Sequence, residues 1–179
     1  LYRPAQHLIL KMILKRFPSN AVWYHGSSRV FERFQLPKRY SPQEQLGFGI
    51  HLARDKAFAE RYGSVIYKCR VRPARVLNLI ATYREGSPEH QLAKEVYRGS
   101  RLYVSGGEFA FSLDVTSPKR AEALLRKYGY DAVFYSAEYG SRAIGGKMIT
   151  ATSDSVVMLD PAKIEILDVQ IQKKAPSRS

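Results

Sequence analysis

The chain has 179 residues, of which 29 are Lys or Arg and 16 are Asp or Glu, so its formal net charge is +13. Hydrophobic residues make up 45% and aromatic residues 12%, a composition that excludes a disordered polyelectrolyte. No apolar run approaches the roughly 20 residues of a membrane-spanning helix. The single cysteine, Cys69, excludes an internal disulfide framework and a multi-cysteine zinc site, and we expect no bound metal.

The excess positive charge indicates the class of partner. Charge of this size is typical of proteins that meet nucleic acid or an anionic membrane, or that carry a basic rim around a phosphate-bearing ligand. The alternative is that the basic residues only keep the protein soluble. The first residue is Leu1, and no signal-peptide pattern follows it, which is compatible with a domain cut from a longer protein.

Three segments are predicted along the chain. Residues 1–20 form an amphipathic helix, because apolar side chains recur at helical spacing from Leu8 to Phe17, and Pro18 ends the pattern. We expect this helix to pack on its own domain; the alternative is a membrane-surface role. Residues 21–171 form the folded domain, and residues 172–179 form a basic, disordered tail.

Within the domain, strands outnumber helices and do not alternate with them regularly, which predicts an α+β fold. Asp55 and Ser117 are predicted helix N-caps, and Gly63 and Gly129 are predicted to end the same helices. In chain order, the predicted elements are strand 21–25, loop 39–49, helix 55–62, strands 65–71 and 76–80, helix 88–97, a loop at 106–107, helix 118–128, strand 132–135, flexible loop 140–146, and strands 156–159 and 164–171.

Three short clusters carry the candidate chemistry. The first, Tyr24-His25-Gly26-Ser27, delivers a histidine at a strand end, next to a glycine whose backbone can approach a ligand closely. The second, Gly47 to Ala53, is a glycine turn entering an apolar strand, with Tyr62 downstream; it lacks the residues of a phosphate-binding loop. The third is Gly129-Tyr130-Asp131, which leads to the strand from Ser155 to Leu159 and then Asp160-Pro161.

In this order, the clusters resemble the ADP-ribosyltransferase superfamily. Within it they are similar to the diphtheria-toxin and poly(ADP-ribose) polymerase-like branch, whose three motifs supply His, Tyr and Glu. The resemblance covers roughly residues 21–167. It implies a split pair of small β-sheets with flanking helices and NAD in the cleft. The implied activity is transfer of ADP-ribose to a macromolecule with release of nicotinamide, in the cytoplasm, where NAD is available.

The resemblance also implies roles for individual residues. His25 would hydrogen-bond an NAD ribose hydroxyl and belong to the catalytic set, and the Gly26 backbone would hold the nicotinamide amide. Ser27 would assist in that first motif, and Ala53 would join the NAD-binding residues. Tyr62 matches the tyrosine that stacks on the nicotinamide ring, where a rigid aromatic face is useful.

The sequence departs from the family pattern at two positions. His51 replaces a tyrosine, and we expect it to pack on the ligand and donate a hydrogen bond. Ser155 occupies the position of the catalytic glutamate and cannot supply its negative charge. Adjacent Asp154 could substitute only if a bulge re-aims it, because successive strand side chains point to opposite faces. Otherwise the activity is weakened, proceeds without that carboxylate, or uses one from elsewhere, such as Glu108 or Glu138.

The acceptor is predicted from charge. The net charge of +13 favours RNA or DNA, with protein as the next choice. Four basic residues after the first motif, Arg29, Arg33, Lys38 and Arg39, are candidates for contacting it; the alternative is an ordinary solvated loop. A toxin or effector domain with an antitoxin or immunity partner fits the resemblance. The rival hypothesis is a non-catalytic module of the same fold that binds nucleic acid through its basic surface.

Overall fold

The computed structural model describes residues 16–40, 46–98, 107–111, 117–144 and 147–172. In these ranges the chain forms a single α+β domain, which confirms the predicted class. The strands are β1 (Val22–Ser27), β2 (Ile50–Ala53), β3 (Val65–Val71), β4 (Val76–Asn78), β5 (Thr82–Arg84), β6 (Glu108–Ala110), β7 (Ala132–Ile144), β8 (Lys147–Met158) and β9 (Ile164–Ile171). The helices are α1 (Lys56–Ala59), α2 (Pro88–Val96) and α3 (Pro118–Lys127).

Seven strands form one mixed sheet in the order β4-β7-β8-β2-β1-β3-β9, and β5 and β6 form a separate antiparallel pair. Only the β4–β7 pairing is parallel among the described strands. Successive residues of β7, Val133 and Phe134, belong to different hydrophobic clusters, because adjacent strand side chains point to opposite faces. One cluster includes Trp23 and Tyr67, and the other lies with α2 and α3.

The sheet is nearly divided between β1 and β2. These strands share a single register pair, Tyr24–Ala53. By contrast, β1 pairs with β3 along its whole length, and β2 pairs with β8 at all four of its residues. The sheet therefore consists of two well-paired halves, β4-β7-β8-β2 and β1-β3-β9, that separate on either side of that one pair.

Two of the predicted helix ends are confirmed, whereas Gly63 follows a 3-10 turn with an extended φ of 165° and Ser117 does not cap through its side chain. The Asp55 side chain accepts a hydrogen bond from the Ala57 backbone N–H (2.8 Å), and Gly129 has the positive φ of +80° expected after α3. Ser117 occupies the N-cap position of α3, but its side chain makes no capping hydrogen bond. Its ψ of 86° differs from the 163° of Ser87, whose hydroxyl does cap α2 through the His90 N–H.

Several predicted boundaries are corrected. The predicted helix 55–62 is four α-helical residues followed by a 3-10 turn, Glu60–Tyr62. The predicted flexible loop 140–146 is largely strand, because β7 and β8 pair as a hairpin up to Ile144 and Lys147, and this cross-strand pairing outweighs the weak strand propensity of glycine. Strands β5 and β6 were not predicted, since three residues are too few to show a period.

The two ends of the chain lie mostly outside the described residues. This holds for residues 1–15 of the predicted N-terminal helix and for residues 173–179 of the predicted tail. Phe17 is described, and its ring stacks on buried Trp23 at 5.6 Å between centroids. None of the described helices has the length and apolarity needed to cross a membrane.

Candidate functional site

A cavity of about 780 Å³ opens where β1 and β2 separate. Its walls are residues 24–27 of β1, residues 50–53 of β2, part of the loop that follows β1, and the region from α1 to Tyr62. Gly47 and Gly49 of the turn before β2, Tyr135 of β7 and Ser155 of β8 complete the described lining. The volume falls within the roughly 300–1,000 Å³ of small-molecule sites.

Glycine allows the 3-10 turn to approach β1 closely. A Cβ added to Gly26 would lie 1.9 Å from the Ala59 carbonyl oxygen, and one added to Gly63 would lie 2.0 Å from the Ser27 carbonyl oxygen. No side chain fits at either distance. This close approach brings Tyr62 to the cavity, where its ring is 57% exposed and lies edge-on to Phe58.

His25 bridges the two halves of the sheet just beyond the last backbone pair. Its Nδ1–H donates to the His51 carbonyl oxygen (2.8 Å). Phe34 lies edge-on to the imidazole ring, with centroids 5.1 Å apart. Because a carbonyl can only accept, the neutral His25 ring carries its lone pair on Nε2. The ring is therefore held in one orientation at the cavity wall.

Both nitrogens of the His51 ring form hydrogen bonds within the protein. Its Nε2–H donates to the Phe48 carbonyl oxygen (3.0 Å), and its Nδ1 accepts from the Tyr135 hydroxyl (3.1 Å). Positive φ angles at Gly47 and Gly49 shape the turn that contains Phe48. The expected hydrogen bond from His51 to a ligand is therefore not available in this arrangement, because the one N–H of the neutral ring goes to Phe48.

Ser155 lies in a row across the sheet. Ala53, Ser155 and Tyr135 are opposite one another on β2, β8 and β7, so their side chains share a face. Ser155 is 1% exposed, and its hydroxyl donates to the Ser153 carbonyl oxygen (3.3 Å). Sequence reasoning missed Tyr135, because it ends an apolar run that is typical of a core strand.

The structure does not bring Asp154 into the cavity lining. The β7–β8 register is continuous through Tyr135–Ser155 and Ser136–Asp154, and the bulge lies further along, between Glu138 and Gly140. Asp154 therefore alternates away from Ser155, as strand geometry requires.

Of the other two candidate carboxylates, Glu108 lies on β6 of the small sheet, opposite Arg84, and is not part of the cavity lining. The Glu138 side chain is outside the described part of the chain. Among the described residues, the cavity lining contains no Asp or Glu. The same ranges contain no group of three or more His, Cys, Asp or Glu side chains that could hold a metal ion.

The basic loop after β1 is only partly directed at the cavity. Arg33 and Arg39 line it, whereas Arg29 and Lys38 do not. Phe31 holds the loop in place: its ring stacks on Tyr67 at 4.1 Å, and the Tyr67 hydroxyl accepts from the Phe31 N–H (2.6 Å). Two arginines without a lining carboxylate favour an anionic ligand over a cationic one.

Neither a protein-family model nor a curated protein matches the sequence. One similar solved structure is described as the crystal structure of an anti-CRISPR protein. It is 16% identical to this chain, with a TM-score of 0.45, and the match covers 83% of this chain and 96% of that one. At this level of similarity, neither a fold family nor a function follows for this chain.

Proposed function

We propose that this chain binds NAD in the cavity between β1 and β2 and transfers ADP-ribose from it to a macromolecule, releasing nicotinamide. The observation that carries the proposal is that residues from three separate motifs line one cavity; the third motif contributes Ser155, whereas Gly129-Tyr130-Asp131 lie outside the lining. His25 and Gly26, His51 and its neighbours, Tyr62, and Ser155 all contribute to its lining. The near division of the sheet at this point fits the split pair of small sheets that the sequence resemblance implies.

The lining suits the chemical parts of NAD. The exposed ring of Tyr62 offers an aromatic face for the nicotinamide. His25 and Gly26 both line the cavity, where His25 is the candidate for hydrogen-bonding a ribose hydroxyl and the Gly26 backbone is the candidate for holding the carboxamide. Arg33 and Arg39 offer charge-assisted hydrogen bonds to the pyrophosphate. The cavity lining therefore offers a candidate contact for each chemical part of NAD.

The transfer half is expected to be slow. Departure of nicotinamide leaves oxocarbenium-like positive charge on the ribose, which a fixed carboxylate would stabilise electrostatically. Ser155 stands where the family resemblance places that carboxylate, and no described lining residue replaces its charge. We therefore propose a transferase whose rate is limited by Ser155, acting where intracellular NAD is available.

A paired substitution tests the proposal. NAD binding is measured by calorimetry, and nicotinamide release is measured with and without total RNA or protein extract. The expected result is NAD binding and slow release by the native chain, accelerated by one extract. Ser155→Glu should raise the rate by about 10². Ser155→Gln introduces a side chain of the same size as glutamate but without its charge, so it should leave the rate unchanged. Absence of NAD binding by folded protein would refute the proposal.

A second candidate function is supported by a cavity lining that has no carboxylate among its described residues and by the net charge of +13. In this case the chain is a non-catalytic module that binds nucleic acid. Gel-shift titrations with RNA and DNA at several salt concentrations would then show an affinity that falls steeply with salt. Binding of this kind, with no nicotinamide release from either chain, would favour it over the transferase.

A further inference from the structure

We propose that Tyr135 and His51 form a proton relay that does part of the work of the missing glutamate. The inference rests on the proposed transferase function and deepens it. It concerns His51 and Tyr135, two side chains that contact each other in the cavity wall. The family resemblance implies no role for Tyr135. Its basis is the hydrogen-bond directions around His51, together with the position of Tyr135 opposite Ser155.

The direction of the relay follows from the partners of His51. The Phe48 carbonyl can only accept, so His51 Nε2 carries the proton and Nδ1 carries the lone pair. The Tyr135 hydroxyl, 3.1 Å from Nδ1, is then the donor of that hydrogen bond. The imidazole is fixed as an acceptor for the tyrosine proton, and the phenol oxygen gains electron density for a second partner.

The position of Tyr135 is suited to the role. It lies opposite Ser155 on the neighbouring strand, and directly opposite side chains have Cβ atoms roughly 4.5–5.5 Å apart. Both residues line the cavity, and Tyr135 is 4% exposed. The phenol therefore stands beside the site that a glutamate at position 155 would occupy, and it is shielded from bulk water.

The proposed step balances in atoms and charge. The acceptor is a hydroxyl group of the macromolecule, and its oxygen bonds to the anomeric carbon of the nicotinamide ribose. The bond from that carbon to nicotinamide breaks, and the electron pair leaves with nicotinamide, which becomes neutral. The acceptor proton passes to the Tyr135 oxygen, and the Tyr135 proton passes to His51 Nδ1. The positive charge of the nicotinamide ring is thereby replaced by that of an imidazolium.

Other groups face the same space. They are His25 from β1, Tyr62 from the 3-10 turn, and Arg33 and Arg39 from the loop after β1. The relay needs a neutral His51 ring whose Nδ1 can accept the proton. It therefore predicts that the rate falls in acid.

The matched variants are Tyr135→Phe and Tyr128→Phe. Tyr128 is partly buried, and its hydroxyl donates to Glu95 (2.6 Å) away from the cavity. The readouts are the nicotinamide release rate under saturating NAD, the NAD dissociation constant and the pH profile. We expect Tyr135→Phe to lower the rate by about 10² and to remove the acid limb, with NAD affinity unchanged. Tyr128→Phe should leave the release rate and its pH profile unchanged.

Each other outcome overturns the relay in a distinguishable way. If the native chain is active and Tyr135→Phe matches it, the relay is wrong and the transferase function stands. If the native chain is silent but Ser155→Glu is active, the relay does not sustain turnover, while NAD binding and the site assignment stand. If folded protein binds no NAD, the proposed function fails and the relay fails with it.

Discussion

Two regions of the molecule treat polar side chains differently. Near α2 and α3, opposite charges and hydroxyl groups pair within the protein: Glu95 accepts from Tyr128 (2.6 Å) and Lys127 (3.2 Å), and Asp131 accepts from Lys163. At the cavity between β1 and β2, the described lining has histidines, arginines and a serine, but no carboxylate.

This difference distinguishes polar groups that pair within the protein from the polar groups that line the cavity. A cluster with its own counter-charges needs nothing from outside, whereas gathered like charges destabilise the folded state until an anion binds. No ion pair among the described residues includes Arg33 or Arg39. The polar groups named near α2 and α3 are therefore satisfied within the protein, and the β1–β2 cavity is where an anionic ligand would add stability.

The largest effect is expected at the contact that shapes the cavity. Gly26→Ala places a methyl group 1.9 Å from the Ala59 carbonyl oxygen, so the 3-10 turn must move away from β1. We expect a loss of roughly 1–3 kcal/mol in the free energy of unfolding and loss of NAD binding. Denaturant unfolding and calorimetry measure the two.

Gly86→Ala is the comparison for that variant. Gly86 has a φ of +83°, but no atom lies within 4 Å of an added Cβ. Its expected cost is therefore backbone strain alone, about 1 kcal/mol, with NAD binding retained. Equal effects of the two substitutions on NAD binding would show that the approach of Ala59 to β1 does not shape the site.

The next effect tests the basic wall. Replacing both Arg33 and Arg39 by Ala is expected to weaken NAD binding on the order of 10- to 100-fold, because two charge-assisted contacts to phosphate are lost. Stability should change by less than about 0.5 kcal/mol. The double variant of Arg72 and Arg120 removes the same charge elsewhere: Arg72 pairs with Glu165, and Arg120 donates to the Glu95 carbonyl oxygen. Similar losses of NAD affinity in the two double variants would show that the effect comes from net charge and not from contacts with the phosphates.

A smaller effect is expected on the helical side. Burial and the neighbouring Glu89 carboxylate raise the pKa of the Tyr130 phenol, and the two groups share a hydrogen bond of 2.6 Å. Tyr130→Phe should cost roughly 1–2 kcal/mol in unfolding free energy, since a bond to a charged acceptor is lost. NAD binding should not change. A change in NAD affinity would show that the two sides of the molecule are energetically coupled.

The smallest effect is expected in the pH dependence of stability. Burial opposes the ionisation of Asp131, but the Lys163 ammonium and the backbone N–H groups of Ala74 and Arg75 outweigh it and hold the pKa of its carboxyl below the ordinary value. A lowered pKa stabilises the fold above the unfolded-state pKa, and this contribution is lost as pH falls through the folded-state value. Asp131→Asn should therefore flatten the pH dependence of stability below about pH 4. Thermal unfolding at several pH values measures this, and an equal pH dependence in Asp131→Asn and the native chain would contradict the prediction.

Sequence reasoning located most of the fold because local signals were strong. Asp55 precedes a helix it caps, Gly129 follows a helix it ends, and both act within a few residues. The order of motifs also pointed to one site, and residues from all of those motifs line one cavity. Their roles toward NAD stay predictions, which the nicotinamide-release experiment tests.

Other features could not be read from sequence, because they depend on contacts between distant segments. Residues 140–144 belong to a segment that the sequence predicts as a loop, and they are strand only because β7 pairs with β8. The sequence after β1 does not show that Arg33 lines the cavity and Arg29 does not. The stacking of Phe31 on Tyr67 fixes the loop and so helps to decide which side chains face the cavity. Tyr135 acquires its significance only from its position beside His51 and Ser155.

The sequence by itself determined the α+β class, the main helices and strands, and the +13 charge that favours an anionic ligand or partner. It did so because periodicity, caps and net charge are local or additive properties. Only the tertiary structure decided where β1 and β2 separate, which side chains enter the cavity, and that both His51 nitrogens are bonded within the protein. These properties depend on cross-strand register and on close backbone approach, which bring together residues far apart in the chain.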